Sequence, residues 1–222
     1  DLALTQHPKH FDPEQSPMTY VFHEFPPTRS NRAKWALEEL GIPYESRRVD
    51  FITGAQRTAD HLERHPLGHV PVLDGDGYRM HESVAIVMQL IDEHPEAKLA
   101  PPLGTPERAL YYQWCVFGVA ELDPLMAALM KHTKHLPEAE RSARIAETAL
   151  TAFKARAAAL SDRVKDRRFL VGDMFTGADI VIGYDLNWAD YIGILSDHPI
   201  LVDYYARLQE RPAFGRVFGE RA

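Results

Sequence analysis

The stretch at residues 67–83, LGHVPVLDGDGYRMHES, sets a proline beside a strand and an acid and a hydroxyl at the start of a helix, which limits what the surrounding chain can become. Val70, Val72 and Leu73 form a short apolar run, Asp74-Gly75-Asp76-Gly77 has the composition of a tight turn, and residues 78–81 can return as a second strand. Proline lacks the N–H that a sheet ladder needs, so Pro71 belongs at a strand start, an edge or a bulge. Val70, just before it, keeps its own N–H and C=O for another partner, and free backbone groups of this kind accept an extended peptide. Behind Glu82 and Ser83, the apolar residues Val84, Val87, Met88 and Ile91 recur at helical spacing, which puts both polar side chains in the first turn. A helix N-terminus binds a carboxylate through its unpaired N–H groups and its dipole, while Glu82 can hold an ammonium. The segment reads as a site for a small peptide that presents both groups.

Around it, strand and helix patterns alternate. Residues 19–23 read as a strand, and Ala33, Ala36, Leu37 and Leu40 make a helical stripe that Gly41 and Pro43 end. Residues 44–51 alternate as a strand, residues 56–64 suggest a short helix, and the hairpin and a helix from Glu82 to about His94 follow. A βαβ unit joined to a hairpin gives a mixed sheet of four strands with helices on both faces. Residues 95–106, PEAKLAPPLGTP, hold four prolines in twelve residues and read as a semi-rigid linker. Beyond them only helices are expected. One is an amphipathic segment of roughly 28 residues, kinked by Pro124, and a second spans 137–163. A third opens on the capping box Thr176–Asp179, and short helices at about 199–210 and 213–218 close the chain. The expected division is an N-terminal extension over 1–17, an α/β domain over 18–95, a linker over 96–106 and an all-helical domain over 107–222.

A formal charge of −7 leaves no basic field for a phosphate backbone, so nucleic acid is not an expected partner. The single cysteine, Cys115, rules out an intrachain disulfide and a CxxC pair, which fits a reducing, cytoplasmic compartment. No apolar run approaches the roughly 20 residues of a membrane span, and no signal peptide is visible. His61, His65 and His69 are spaced by four, but Pro66 and Gly68 break the helix that would align them, so no metal site is expected.

Four local patterns, ALEELGIPYE from Ala36, HPLGHVPVL from His65, HESVAI from His81 and FLVGDMFTGADI from Phe169, stand in this order across residues 18–220. In that order and spacing the chain resembles the cytosolic glutathione transferases. The resemblance implies an α/β thioredoxin-like domain followed by an all-α domain, a homodimer, and a cis peptide bond at Pro71. It further implies that Val70 pairs through its backbone with the cysteinyl part of glutathione, that Glu82 and Ser83 hold its γ-glutamyl end, and that His69 stands near its glycine carboxylate.

Such chemistry needs the glutathione thiol as thiolate, and a thiol near pKa 8.5 is mostly protonated at neutral pH. Lowering it by about two units takes roughly 2.7 kcal/mol of preference for the anion. A helix N-terminus supplies up to about 1–2 kcal/mol and one hydrogen bond about 1.5–3, so the two together suffice. The first helix opens on FPPTRSNRAKW, which offers Thr28 and Ser30. Pro27 occupies the position where many serine-type members carry their catalytic serine. Either hydroxyl also serves as a helix cap. Phe25, Tyr111 and Trp114 are the candidate walls for an apolar electrophile. Conjugation to electrophiles is the leading expectation, with a disulfide or peroxide reductase, or a non-catalytic binding protein, as alternatives.

Overall fold

The computed structural model describes residues 20–219; the expected N-terminal extension lies outside the described residues. The first half comprises β1 (Tyr20–Glu24), α1 (Ser30–Leu40), β2 (Tyr44–Arg48), α2 (Ala59–Arg64), β3 (Val72–Gly75), β4 (Tyr78–His81) and α3 (Ser83–Glu93). The strands lie in the order β2-β1-β3-β4. β1 and β2 are parallel, with Tyr20 opposite Tyr44, while β3 runs antiparallel to both β1 and β4, with Leu73 opposite Phe22 and Met80. This is the thioredoxin-like arrangement. β2 ends three residues earlier than its alternation suggests. Val49 turns inward and donates its N–H to the Glu24 carbonyl, and Asp50 Oδ1 then takes the Ile52 N–H, starting a turn. The ladder of β3 begins at Val72, one residue past Pro71, as the missing N–H requires. The hairpin closes through Asp76-Gly77, with Gly77 at φ 77°, a conformation that suits glycine. The expected helix over 56–64 divides at Thr58, whose hydroxyl caps α2 by accepting the His61 N–H.

α1 and α3 form the layer between the sheet and the second half, which contains α4 (Pro106–Phe117), α5 (Asp123–Met130), α6 (Ala143–Val164), α7 (Gly177–Tyr191), α8 (Pro199–Gln209) and α9 (Pro212–Phe218). The long kinked helix is α4 and α5 together, joined by a wide π-type turn over Gly118–Leu122. That turn precedes Pro124, whose ring and missing N–H cannot continue regular α geometry. α6 starts at Ser142, later than position 137, because Ser142 supplies the cap that accepts the Ile145 N–H. The connection before α4 is pinned rather than loose. Arg108 donates to the Pro101 carbonyl at 3.0 Å and to Asp92 at 2.6 Å, and the Leu99 carbonyl takes the Gly177 N–H. One apolar core runs through both halves, from Phe22 and Trp35 to Tyr204 and Phe214.

The capping box of α7 forms as its sequence indicates. Asp179, fully buried, accepts the Thr176 N–H at 2.8 Å, the Leu170 N–H at 2.9 Å and the Tyr204 hydroxyl at 2.6 Å. Its role is structural: it ties the start of α7 to the preceding loop and to α8.

Candidate functional site

The turn into α1, the loop after β2, the segment before β3 and the start of α3 border a cleft of about 330 Å³, lined by Thr28, Phe51, His69, Val70, Pro71 and Ser83, with Arg29, His65 and Glu82 completing it. Thus Thr28 and the whole proline–acid–hydroxyl set, separate in the chain, converge on one space. The Val70–Pro71 peptide is cis, and so is Pro26–Pro27. Glu82 sits at φ 74°, ψ 104°, a backbone conformation that a side chain rarely adopts. Such outliers persist where surrounding structure over-determines them, commonly at ligand sites. Here the turn delivers Ser83 to the first position of α3 while Glu82 stays exposed.

Ser83 is buried and its Oγ accepts a hydrogen bond from Arg32 Nη1 at 3.1 Å. Arg32, with no exposed surface, also donates through Nη2 to Asp123 Oδ1 at 2.9 Å and Asp185 Oδ1 at 2.6 Å, and lies over the Tyr184 ring. Burial and the neighbouring Asp123 charge push the Asp185 carboxyl well above the ordinary range, against the pull of Arg32. Asp123 moves oppositely: burial would raise it, but Arg32, the Asp185 hydrogen bond and Arg29 hold it well below that range. The two carboxyls beside Arg32 are thus driven apart, Asp123 toward the ionised form and Asp185 toward the protonated one.

Thr28 is half-buried at the cleft, whereas Ser30 is fully buried, and their hydroxyl oxygens lie 2.5 Å apart. Arg29, between them, donates through Nε to Asp123 Oδ2 and packs over Trp188, fastening the entry of α1 to α5 and α7. His65 is buried, accepts the Leu67 N–H at Nδ1 and stands 4.5 Å from the His81 ring and 5.3 Å from His69, centroid to centroid. Burial, with the His81 and His69 rings adding to it, lowers the His65 pKa. His61 Nε2 donates to the His69 carbonyl at 2.8 Å, which fixes the backbone immediately before Val70. Among the described residues, no group of three or more His, Cys, Asp or Glu is placed to hold a metal ion.

The expected apolar walls fall elsewhere. Tyr111 has no exposed surface and is packed beside Gly177 and Arg108, and Trp114 is buried against Phe117; both belong to the core between the halves. Phe25 does not line the cleft itself. It stacks at 5.0 Å behind Phe51, with Arg48 on its ring, so Phe51 is the aromatic wall. Cys115 is buried and its thiol is pushed up to about 12 by burial, so it cannot act as a nucleophile. Arg29, Phe51, His65 and the Arg32–Asp123–Asp185 trio were not legible as site residues. Arg29 alone had a local signal, its place beside Thr28.

Comparison with known proteins agrees with this geometry. The family model for the glutathione S-transferase N-terminal domain matches residues 16–90, and that for the glutathione S-transferase C-terminal domain matches residues 123–207. A glutathione transferase structure from Methylococcus capsulatus is 30% identical, with a TM-score of 0.79 over 89% of this chain and 96% of that one. The glutathione transferase URE2P6 from Phanerochaete chrysosporium, in complex with oxidized glutathione, is 25% identical, with a TM-score of 0.83 over 92% and 96% of the two chains. In sequence, glutathione S-transferase GST-4.5 from Xanthomonas campestris is 29% identical over 75% of this chain and 81% of its own length. A thioredoxin-like domain followed by a helical domain, with a cis-proline ahead of β3 facing the start of α3, defines the two-domain class to which the chain is similar. The chain belongs to the glutathione S-transferase family.

Proposed function

We propose that the cleft binds glutathione and that the protein transfers its thiolate to electrophilic, mostly apolar small molecules. The observation that supports this most is the meeting of Thr28, at the entry to α1, with Val70, cis-Pro71, Glu82 and Ser83 in one cleft. In this reading the γ-glutamyl carboxylate sits on the Ser83 hydroxyl and the N-terminal N–H groups of α3, and Glu82 holds the ammonium. Val70 pairs with the cysteinyl backbone, and His69, exposed at the rim, meets the glycine carboxylate. Thr28 donates to the sulfur, aided by the N-terminus of α1. Phe51 offers apolar surface for the electrophile. No nucleic acid, metal or membrane takes part.

Isothermal titration with glutathione tests the binding step, and an absence of heat at millimolar ligand overturns it. For catalysis, Thr28→Ala is expected to lower turnover with chlorodinitrobenzene at least tenfold, about 1.4 kcal/mol. Unchanged turnover, with Ser30→Ala inactive, would move the role to Ser30. A second reading, a glutathione-dependent disulfide reductase, draws support from the oxidized glutathione bound by URE2P6. It requires turnover of a glutathione mixed disulfide faster than conjugation.

A further inference from the structure

We propose that Ser30 is a positioning residue for the thiol donor, its hydroxyl forming with that of Thr28 a two-member hydrogen-bond relay that turns over when bound glutathione ionises. The proposal rests on the reading of Thr28 as that donor. Ser30 has no exposed surface and cannot reach a ligand, so any influence it has on the sulfur passes through Thr28.

The proton inventory of the pair leaves two arrangements. Each hydroxyl has one proton and two lone pairs. The Ser30 N–H donates to Thr28 Oγ1 at 3.2 Å, and the Phe25 N–H donates to Ser30 Oγ at 3.2 Å. Across the 2.5 Å gap between the hydroxyl oxygens, either can donate. In the first arrangement Thr28 donates to Ser30, and Ser30 donates onward to the Phe25 carbonyl at 3.3 Å. Thr28 then presents a lone pair to the cleft, which suits a neutral S–H. In the second, Ser30 donates to Thr28, and the Thr28 proton turns toward the cleft, which suits a thiolate. Passage from one to the other needs only rotation of two C–O bonds. The thiol proton leaves to solvent through the open cleft, and neither hydroxyl loses its own. In the second arrangement the chain Phe25 N–H, Ser30 O–H, Thr28 O–H runs in one direction toward the sulfur, and each bond polarises the next.

The same chain explains why a buried serine is kept two residues from the donor. A lone Thr28 hydroxyl would be a free rotor; Ser30 limits it to two orientations, one for each state of the thiol.

A double-mutant cycle on the full-length protein tests this, read by titrating the thiolate ultraviolet absorbance of bound glutathione against pH. Thr28→Ala should raise the thiol pKa by at least one unit. Ser30→Ala should raise it less, with a three- to tenfold loss of kcat/KM at neutral pH and an unchanged dissociation constant for glutathione. In the Thr28→Ala background, Ser30→Ala should have no further effect on the thiol pKa. A further rise there would mean that Ser30 acts on the sulfur directly. An unshifted thiol pKa in Ser30→Ala alone, with a lowered melting temperature, would mean a purely structural role. Either result overturns the relay. If Thr28→Ala itself leaves the thiol pKa unchanged, the reading of Thr28 as donor fails first, and the cycle shows it separately. Should Ser30→Ala not fold, Ser30→Cys retains the volume and a weak donor, and should give a thiol pKa above that of the native protein; no shift overturns the proposal.

Discussion

Exchanging Asp123 for Asn takes from Arg32 the carboxyl that its charge holds ionised, whereas the same exchange at Asp185 removes the carboxyl that burial drives toward its neutral form. Arg32 has no exposed surface, and its two carboxyl partners are each at most 6% exposed, so little of the interaction is screened by solvent. Removing one partner of a buried pair costs about 3–5 kcal/mol. At this chain length about 1 kcal/mol corresponds to roughly 2–4 °C, so Asp123→Asn should lower the melting temperature by roughly 6–20 °C at neutral pH. Asp185→Asn can keep its contact to Arg32, the amide carbonyl accepting where Oδ1 does now. It should change stability by no more than about 1 kcal/mol at pH 4.

The pH dependence separates the two further. Asp185 is raised in the folded protein, so its contribution to stability is complete below the ordinary carboxyl value and declines as pH rises toward the folded one. An asparagine has no proton to lose on unfolding and escapes that decline. Asp185→Asn should therefore gain stability relative to the native protein between pH 4 and pH 7. Asp123 is lowered, so its contribution is present above the ordinary carboxyl value and is lost as pH falls. The penalty of Asp123→Asn should be largest at neutral pH and shrink on acidification. Thermal unfolding of both variants across this range is the assay. Equal destabilisation by the two, growing with pH in each, would show that the Asp185 carboxyl is not raised and that the opposite directions assigned to the pair are wrong.

Ser83→Ala should raise the Michaelis constant for glutathione roughly tenfold, the loss of one hydrogen bond to a charge, while leaving kcat within twofold; steady-state kinetics at varied glutathione check it. Gly177→Ala should destabilise the protein by about 1–3 kcal/mol in urea titrations, because a Cβ there would stand 2.5 Å from Ile91 Cδ1 and 2.9 Å from the Tyr111 hydroxyl, where α7 meets α3 and α4.

The parts of the fold that were legible are those whose signals lie within a few residues. The Gly41 stop with its N–H on Leu37 and the Thr176–Asp179 box formed as written, and the hairpin formed with its turn narrowed from residues 74–77 to Asp76-Gly77, because each is a local hydrogen-bonding or dihedral requirement. Boundaries set by a distant partner were not. β2 ends where Val49 finds Glu24, and the α4–α5 break is spread over a π-type turn instead of a sharp kink at Pro124. Aromatic residues at helical spacing show which side of α4 is apolar but not what covers it. Tyr111 and Trp114 face the core, and the cleft's aromatic wall, Phe51, comes from a loop with no pattern of its own. Arg32 was invisible for a related reason, since in a helix an arginine normally means solvent, and its partners lie 91 and 153 residues away.

Burying an arginine beneath a binding hydroxyl has a directional consequence. A hydroxyl can accept or donate, but a guanidinium only donates, so Ser83 Oγ must accept from Arg32 and its own proton is left for the cleft. A serine set in this way has its proton free to donate to a carboxylate, while the neighbouring Glu82 can only accept when ionised, so the pair offers one group of each kind. Arg32 keeps that position only because Asp123 and Asp185 reach it from α5 and α7, so the second half of the chain fixes a hydrogen bond in the first. Asp123 also receives Arg29, the residue between Thr28 and Ser30. One carboxylate thereby anchors both ends of the cleft, the Ser83 hydroxyl through Arg32 and the turn that carries the hydroxyl pair through Arg29. Of the two exchanges at the buried trio, only that at Asp123 should disturb glutathione affinity and thiol ionisation together.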